Sequence, residues 1–419
     1  GSGIDTVFWQ VIDYDGTEWR CNPALGFFND NFNSSTSLSN YWTIVSGNWS
    51  VSNGHLYQMD ESLTNPNIYT PLTQTNNYIY LYHYQGMMQG TGTNRRFGFF
   101  FFVSDPTQTY RGNAYMVYFR IDGGTVEIYK STNNSISGIL AQGSYTFSPN
   151  AWYDFKVIYN PSTGVIKVYV NNTFVVTWTD PTPLTSGGYI SLRTGGCIGV
   201  YDDFKVYRSR TNTEQITMGT QASKMIKHES PNKQLEACRI KSVVLDKAGN
   251  WSSVENQNVW IDWTAPTTQI PSFGWQTGDF TVNFQDNDNT NGSGISRRFY
   301  HVRCWNGQEW VANPQAGFFY DDLEGSTPTH WTVQTGTWEM NNGVLMQTDQ
   351  SLSNTNIWSY LNQTLSNRSL YEFDMKIEGS GTNVRAGFHF MSDSATLPNR
   401  GNSYFIWFRL KPTLNEYFL

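Results

Sequence analysis

The sequence predicts an all-β protein built as a tandem array of β-sandwich domains, and three observations support this prediction. Short runs of alternating apolar and polar residues recur along the chain, for example at residues 115–120 and 165–170. Gly, Asn and Pro turns separate these runs, and helical periodicity is nearly absent. Finally, the segment that starts at Gly1 returns at Gly292, an offset of 292 − 1 = 291 residues.

The repeat extends well beyond its first residues. Trp42, Gly47 and Trp49 return as Trp331, Gly336 and Trp338, and the segments 111–113 and 400–402 both read Arg-Gly-Asn. A unit this long exceeds the repeats of solenoid proteins, so we expect large domains that follow one another like beads on a string. The second copy stops near Leu419, before its end.

Composition narrows the classes of function. Aromatic residues make up 16% of the chain and charged residues only 15%, and Asn, Ser, Thr and Gly dominate the polar remainder, which favours an extracellular β-protein. The net charge of −7 argues against nucleic acid and anionic membrane surfaces as partners. Because no apolar run approaches the roughly 18 residues of a membrane span, we expect no membrane insertion.

The four cysteines do not form a repeated disulfide framework. The repeat partner of Cys21 is Ala312, and that of Cys304 is Asp13. We therefore expect packed, lone thiols, and leave open a pairing of Cys21 with Cys238.

Residues 29–210 form the first block. A Pro-Ser-Thr-Gly turn at 161–164 predicts a hairpin, and a second turn at Asn171-Asn172 leads into another short strand. Trp42, Trp49 and the Gly54 turn, the Trp-Tyr-Asp strand at 152–154 and the final strand at 201–207 follow an order that resembles the concanavalin-A or laminin-G-like jelly roll. This resemblance implies two stacked antiparallel sheets, one of them concave.

The block that follows, from residue 211 onward, has different sequence motifs. The Asp-Lys-Ala-Gly-Asn segment at 246–250 and the Asp-Trp-Thr-Ala-Pro segment at 262–266 resemble bacterial immunoglobulin-like adhesin modules. The order of the segments suggests that each jelly roll is inserted into such a module. We predict that residues 1–28 and 211–262 pack together, that 263–320 begin the next module, and that 321–419 are a truncated second jelly roll.

Catalysis is not expected. Glucanases with this fold carry two carboxylates on one strand in a Glu-x-Asp-x-x-Glu pattern. The nearest match, residues 372–378, is one residue too long, and His83, Gln85 and Gln89 stand at the matching positions of the first copy. A solvated strand edge explains these acids better, and the chain has no Ser-His-Asp pattern, no His-x-x-x-His pair and no phosphate loop.

Polar residues that both copies contain are the candidates for ligand binding. They are Arg96, Tyr118 and Arg120 in the first copy and Arg385, Trp407 and Arg409 in the second. Counting by twos places Arg96 with Gly98 and Phe100 on one side of a strand, and Tyr118 with Arg120 on one side of the next. A guanidinium group beside aromatic rings could hold a glycan, but internal bracing of the sandwich explains these residues better.

Calcium is the cofactor that the sequence makes most plausible. Jelly rolls of the resembled type often carry one ion where the first and last strands meet, and Asp30, Asp202 and Asp203 lie in those strands. Asp286 and Asp288 start a second acidic loop that lacks the closing Glu of a calcium loop. Ordinary turn chemistry is the alternative for both.

The alternation of lectin-like jelly rolls with immunoglobulin-like modules is similar to the giant repetitive surface adhesins of gliding Bacteroidetes. This resemblance implies a non-enzymatic, extracellular cell-surface filament whose partners are surface glycans and neighbouring repeats of the same chain. Multivalency would convert weak contacts into firm attachment. A glycan-binding accessory region of a secreted polysaccharide-degrading enzyme and a purely structural spacer are the alternatives.

Overall fold

A computed structural model describes residues 1–33, 38–227, 238–290, 292–381, 383–410 and 417–418. The chain divides into two compact units, Gly1–Ile295 and Ser296–Leu419. Part of the predicted module segment 211–262 lies outside the described residues.

The strands of the first unit are β1 (Ile4–Tyr14), β2 (Trp19–Arg20), β3 (Phe28–Asp30), β4 (Thr43–Ser46), β5 (Trp49–Ser52), β6 (His55–Gln58), β7 (Asn67–Thr75), β8 (Tyr80–Gln89), β9 (Arg96–Val103), β10 (Ala114–Arg120), β11 (Thr125–Thr132), β12 (Ser135–Ile136), β13 (Ala141–Ser144), β14 (Trp152–Asn160), β15 (Val165–Val170), β16 (Thr173–Thr179), β17 (Ser186–Gly195), β18 (Ile198–Ser209), β19 (Cys238–Asp246), β20 (Glu255–Val259), β21 (Thr267–Gln269) and β22 (Gln285–Asn287). Helical structure described in this unit is one four-residue helix, α1 (Leu38–Tyr41), and a 3-10 turn at Pro23–Leu25.

The second unit contains β23 (Arg303–Trp305), β24 (Trp310–Ala312), β25 (Thr332–Thr335), β26 (Trp338–Asn341), β27 (Val344–Gln347), β28 (Asn356–Trp358), β29 (Val384–Phe390), β30 (Tyr404–Leu410) and β31 (Tyr417–Phe418), with a 3-10 turn at Pro314–Ala316. The all-β prediction is confirmed.

Two antiparallel sheets form the β-sandwich of the first unit. Sheet I has the strand order β16-β15-β14-β8-β18-β1-β19-β20, with β2 on β1, β3 and β6 on β18, and β5 on β6. Sheet II has the order β12-β11-β10-β9-β17-β7-β4, with β13 on β11. The hairpin predicted at 161–164 joins β14 to β15, and the Asn171-Asn172 turn joins β15 to β16. This jelly-roll-like sandwich confirms the predicted fold of the first block.

Aromatic side chains from alternate positions fill the space between the sheets. Phe119 of sheet II lies 4.1 Å, centroid to centroid, from Phe155 of sheet I, and Tyr84 lies 5.6 Å from Phe99. All four are fully buried. Because side chains alternate along a strand, this inward set sends the intervening residues of β9 and β10 to the outer face of sheet II.

Residues from the two ends of the first unit share a second, smaller core. Strand β1 pairs with β19 over nine residue pairs, from Ile4 with Asp246 to Asp13 with Cys238. Trp9, Phe27 and Ile261 are buried in the same cluster. Pairing between 1–28 and 211–262 is what the inserted-module hypothesis requires, and the immunoglobulin-like character of this region stays a prediction.

Cys21 and Cys238 also lie in this smaller core, both as free, buried thiols. Burial raises the pKa of Cys238 to about 12, so its thiol stays protonated at neutral pH. The two cysteines form no disulfide, and Cys197 is likewise free and buried, as expected of packed thiols, whereas Cys304 is exposed and contradicts that expectation.

The second unit repeats local features of the first. The indole Nε1 of Trp331 donates to Asp321 at 2.8 Å, as that of Trp42 donates to Asp30 at 2.9 Å. Both 3-10 turns have an Asn N-cap whose side chain accepts a backbone N–H two residues on. The repeat in sequence is thus a repeat in local conformation.

The strand expected at residues 372–378 is not formed. Its counterpart in the first copy, β8, pairs on one side with β14 and on the other with β18. At the offset of 385 − 96 = 289 residues, the counterparts of both partners fall beyond Leu419. A strand without partners leaves its backbone groups unpaired, which explains the difference.

Among the described residues, no helix has the length and apolarity that a membrane crossing needs.

Candidate ligand-binding face of sheet II

The outer face of sheet II brings the three polar residues of the first copy together. Arg120 on β10 lies opposite Arg96 on β9, and Tyr118 lies opposite Gly98. On the other side of β9, Arg193 of β17 also pairs with Gly98. Tyr118, Gly98 and Arg193 therefore form one row across three strands, next to the row that contains Arg96 and Arg120.

Asn94 joins the two arginines that the sequence singled out. Its backbone carbonyl accepts from Nη1 of Arg96 at 2.8 Å, and its side-chain oxygen accepts from Nη2 of Arg120. Asn94 has a φ of 61°, a left-handed conformation that Asn adopts more readily than most residues. The turn before β9 thus positions both guanidinium groups at the end of the face.

Arg193 crosses the middle of the face with most of its side chain buried. Its guanidinium carbon lies 5.0 Å from the centre of the Tyr118 ring, and that of Arg96 lies 5.8 Å from the same ring. Nη2 of Arg193 donates to the carbonyl of Thr64 at 3.2 Å. Tyr118 is therefore flanked by two cations, an arrangement that its π-electrons favour.

Arg111, from the loop after β9, is fully buried, and its guanidinium carbon lies 4.7 Å from the centre of the Phe100 ring of the same face. It donates to Ser191 Oγ at 3.1 Å, to Asn65 Oδ1 at 2.9 Å and to the carbonyl of Pro66 at 3.2 Å. Burial, and then the charge of Arg193, lower the pKa of Arg111. Arginine retains its proton at neutral pH even so, and Arg111 therefore adds a fixed positive charge to the face.

Glu127 is the one acidic residue in strands β7, β9, β10, β11 and β17. Its carboxylate is buried and accepts from Arg120 at 3.2 Å, from Thr125 Oγ1 at 3.0 Å and from the Tyr129 hydroxyl at 2.5 Å. Burial and these contacts with Glu127 raise the pKa of Tyr129. The carboxylate is thus fully engaged by its neighbours on the face.

Two buried donors of the face have no acceptor in the described structure. They are the hydroxyl of Tyr118, whose side chain is 3% exposed, and Nε of Arg193, which is 8% exposed. Burial raises the pKa of Tyr118, while the charges of Arg193 and Arg96 oppose this change, so the hydroxyl remains a donor at neutral pH. Buried donors without acceptors are costly, and a bound ligand could supply the acceptors.

The second copy reproduces the register of this face. Arg385 lies opposite Arg409, and Gly387 lies opposite Trp407. The guanidinium carbon of Arg385 is 4.4 Å from the centre of the Trp407 ring. Buried Nε of Arg409 has no partner among the described residues. An aromatic ring flanked by arginine is therefore common to both copies.

Asp30, predicted as a calcium ligand, is bound by protein groups. It forms a buried ion pair with Arg20 at 3.0 Å and accepts from the indole of Trp42 at 2.9 Å and from the backbone N–H of Phe32 at 2.9 Å. Both carboxylate oxygens are used by these contacts. The structure thus gives Asp30 a role in joining the turn after β3 to the sandwich.

Asp202 and Asp203 lie on β18, at an irregularity in its pairing with β8. Asp202 contacts His55 at 3.1 Å, and Asp203 contacts Lys205 at 3.1 Å. Burial, and then the charge of Asp203, raise the pKa of Asp202. Asp30 is opposite Phe204 on the same strand and does not share a contact with either residue among those described.

In the second acidic loop, backbone groups occupy the carboxylate of Asp288. One oxygen accepts from Asn289 N at 3.0 Å and the other from Gly294 N at 2.6 Å. Asp286 accepts from Thr268 Oγ1 at 2.6 Å across a two-stranded ladder. Over the described part of the chain, no group of three or more His, Cys, Asp and Glu residues is placed to hold a metal ion. Calcium binding stays a prediction.

A further polar cluster lies on the outer face of sheet I. His83 Nε2 is 2.5 Å from Asp154 Oδ1, and Lys156 contacts the other oxygen. Burial lowers the pKa of His83, which is therefore neutral at pH 7. Burial alone would raise the pKa of Asp154, but His83 and Lys156 lower it to about 2. Within the described structure, this His-Asp-Lys cluster includes no serine or cysteine nucleophile.

Sequence reasoning missed Arg193, Glu127 and Arg111. Alternation along β17 places Arg193 opposite to the buried Leu192, so its side of the strand could be predicted. Its neighbours could not, because β17 joins β9 across roughly ninety residues of chain and the second copy stops before the counterpart of Arg193. Alternation along β11 likewise predicts the side of the strand on which Glu127 lies, but not its neighbours.

The family match concerns only the jelly roll of the first unit. Residues 28–207, less than half of the chain, match the family model of the 3-keto-alpha-glucoside-1,2-lyase-like domain. These limits coincide closely with the jelly roll predicted at 29–210. No curated protein sequence matches the chain.

Several solved structures resemble the chain weakly. The carbohydrate-binding module CBM66 from Bacillus subtilis is 15% identical over 39% of this chain and 92% of that chain, with a TM-score of 0.34. A Bacillus subtilis protein of unknown function with a galectin-like fold is 15% identical over 45% and 96%, with a TM-score of 0.35. A Bacillus licheniformis beta-glucanase is 16% identical over 45% and 99%, with a TM-score of 0.34.

Proposed function

We propose that the jelly roll at 29–210 is a glycan-binding domain without enzymatic activity, and that the outer face of sheet II is its binding site. The observation that carries this proposal is the meeting of Arg96, Tyr118 and Arg193 in adjacent rows, with buried donors on Tyr118 and Arg193 left without acceptors.

The chemistry of the face suits a sugar. Guanidinium groups offer several donors in a fixed plane, which matches the vicinal hydroxyls of a pyranose ring. Tyr129 is half-buried and supplies an aromatic ring that can pack against the apolar face of a sugar, and its centroid lies 6.0 Å from that of the buried Tyr118. The name of the matching family refers to a glucoside, which supports a carbohydrate as the ligand class.

The surrounding chain fits a repetitive surface protein. Because the aromatic and arginine pair recurs at Arg385 and Trp407, each repeat would present a similar face. We place this chain outside the cell, in a cell-surface adhesin filament of the kind its sequence resembles. Many weak faces along one filament would hold a glycan-coated surface firmly.

The experiment is a glycan array probed with the 419-residue chain, followed by titration of the best ligand by calorimetry. We expect saturable binding to at least one polysaccharide class, and an Arg96→Ala variant should bind at least roughly tenfold more weakly, because it loses a charge-assisted hydrogen bond. Absence of any ligand across the array would contradict the proposal and favour a structural spacer.

Arg95→Ala is the matched control. Arg95 is adjacent in sequence and carries the same charge, but its guanidinium pairs with Asp122 at 2.8 Å and donates to the carbonyl of Gly90 at 3.1 Å. The variant therefore changes net charge equally while leaving the face intact. Equal loss of affinity in both variants would place the site elsewhere.

A glycan-binding accessory region of a polysaccharide-degrading enzyme is the second candidate. The family match favours it, since that family is named for a lyase. Incubating the chain with its best array ligand tests for catalysis, because release of reducing ends would reveal it.

The calcium hypothesis is tested on the same sample. Chelation should lower the melting temperature if Asp202, Asp203 or Asp288 holds an ion, and an unchanged melting temperature would contradict the calcium hypothesis.

A further inference from the structure

The outer face of sheet II carries more positive charge than its one carboxylate can balance. Arg96, Arg111, Arg120 and Arg193 contribute four cations, and Glu127 contributes one anion that is paired with Arg120. Within the described residues, Arg96, Arg111 and Arg193 donate hydrogen bonds to neutral groups: carbonyls, a hydroxyl, an amide and a thioether. Buried or half-buried cations without counter-charge are unusual in proteins.

Two of the cations without counter-charge lie next to the ring of Tyr118. Arg96 and Arg193 both approach the ring of Tyr118, at 5.8 and 5.0 Å. Gly98 is the residue of β9 in line with Tyr118 and Arg193, and it has no side chain to occupy the outer surface there. A Cβ at Gly98 would lie 1.9 Å from the carbonyl of Val117, so no other residue fits this backbone without movement. Gly98 is buried, and the guanidinium groups of Arg96 and Arg193 both lie beside the Tyr118 ring opposite it.

The unpaired donors lie in the same row. The hydroxyl of Tyr118 and Nε of Arg193 are both buried and lack acceptors in the described structure. An oxyanion can accept several hydrogen bonds at once and would also neutralise the excess charge, which a neutral hydroxyl would not. Charge balance and hydrogen bonding thus favour the same kind of ligand group.

We propose that the glycan bound by this face is acidic, and that its carboxylate or sulfate group binds to Arg96 and Arg193, with the hydroxyl of Tyr118 as a further donor. This inference rests on the proposed function and names its ligand class. The second copy repeats the essential parts in Arg385, Gly387 and Trp407.

The test uses the 419-residue chain and two pairs of probes that differ in charge alone: polygalacturonate against the same polymer after reduction of its carboxylates, and dextran sulfate against dextran. We expect the acidic member of one pair to bind at least roughly tenfold more tightly than its neutral partner. The pair that shows the difference tells whether a carboxylate or a sulfate is recognised. Binding should weaken as salt is raised.

Variants test which side chains of the face bind the acidic group. Arg96→Gln should lower affinity for the preferred acidic probe by roughly tenfold or more and should weaken any binding of the neutral partner less. Tyr118→Phe keeps the ring, removes only the hydroxyl and should weaken acidic binding less. Arg95→Gln, with the same change of net charge outside the face, should bind as the parent chain does. Melting temperatures of all variants should agree, which excludes misfolding as the cause.

The outcomes are distinct. Equal affinity for acidic and neutral probes would overturn the acidic-ligand inference and leave glycan binding in place. Equal weakening by Arg95→Gln and Arg96→Gln would show that acidic polymers bind by net charge, and would also overturn it. If neither these probes nor a broad neutral array bound, the proposed function itself would fail.

Discussion

At the scale of single residues, buried polar side chains differ in whether all of their polar atoms have hydrogen-bond or ion-pair partners. Arg111 and Asp30 are buried, and neighbouring protein groups bind the guanidinium of Arg111 and the carboxylate of Asp30. Arg193 and Tyr118 are buried with donors left over. Complete partnership is typical of residues that stabilise the fold, whereas a buried unsatisfied donor indicates a place that a ligand can fill.

Asp30→Asn tests the structural role of a residue that the sequence suggested as a calcium ligand. The variant leaves the buried guanidinium of Arg20 without one of its two carboxylate partners. We expect a loss of about 3 kcal/mol in the free energy of unfolding, measured by urea denaturation, equally with calcium and with chelator. Asp203→Asn is the control, because its pairing with Lys205 is more exposed and should contribute less than about 1 kcal/mol. A loss seen in calcium alone would contradict this role.

Asp154→Asn tests the polar cluster on sheet I by its pH dependence. The pKa of Asp154 in the folded chain is about 2, below the ordinary value of 3.8 for an aspartate side chain. A depressed pKa stabilises the fold above the unfolded value, and this contribution is lost as the pH falls through the folded value. The stability difference between parent and variant should therefore be largest near neutral pH and should shrink between about pH 4 and pH 2. Acid denaturation followed by circular dichroism measures it, and a constant difference would contradict it.

At the scale of elements, alternation predicted which face each strand buries, but not which strands meet. The outward set of Arg96, Gly98 and Phe100 follows from counting by twos, and so does that of Tyr118 and Arg120. The adjacency of β17 and β9 depends on long-range pairing, which local sequence does not encode. The strand expected at 372–378 is not formed, and the described residues contain no equivalents of β14 and β18, which pair with its counterpart β8.

The ribbon of β1 and β19 is the element that ties the ends of the first unit to the jelly roll. Phe8 is fully buried and packs with Leu81 and Tyr207 of the sandwich and with Val243 of β19. Because one side chain joins both parts, we expect them to unfold together.

Phe8→Ala should lower the free energy of unfolding by about 3–5 kcal/mol, since it removes a buried ring and leaves a cavity. Ile4→Ala, in the same strand but 60% exposed, should change it by less than about 0.5 kcal/mol. Denaturation followed by tryptophan fluorescence and by circular dichroism should give one coincident transition for the parent chain. Two separate transitions would contradict the coupling of ribbon and sandwich.

At the scale of the whole molecule, the repeat of 291 residues determines how a weak site can be useful. The unit contains one sandwich and the ribbon that pairs its two ends, and its binding-face residues recur in the second copy. A single shallow face on a sheet offers few contacts, so its affinity for a glycan is expected to be modest. Repetition raises the effective concentration of faces along a polymer.

Head-to-tail fusions of residues 1–291 test this directly, because each junction reproduces the native sequence where residue 291 meets the next Gly-Ser-Gly-Ile. Fusions of one, two and three units should bind a short oligosaccharide of the preferred ligand with the same affinity per unit. On an immobilised polymer, the two-unit and three-unit fusions should bind about 10²- to 10⁴-fold more tightly than one unit, chiefly through slower dissociation. Surface plasmon resonance measures both affinities.

The gain in affinity with the number of units should vanish when Arg96→Gln is present in every unit and persist with Arg95→Gln, because multivalency multiplies an affinity that each face must first possess. Equal binding by all fusions would mean that the repeat acts as a spacer.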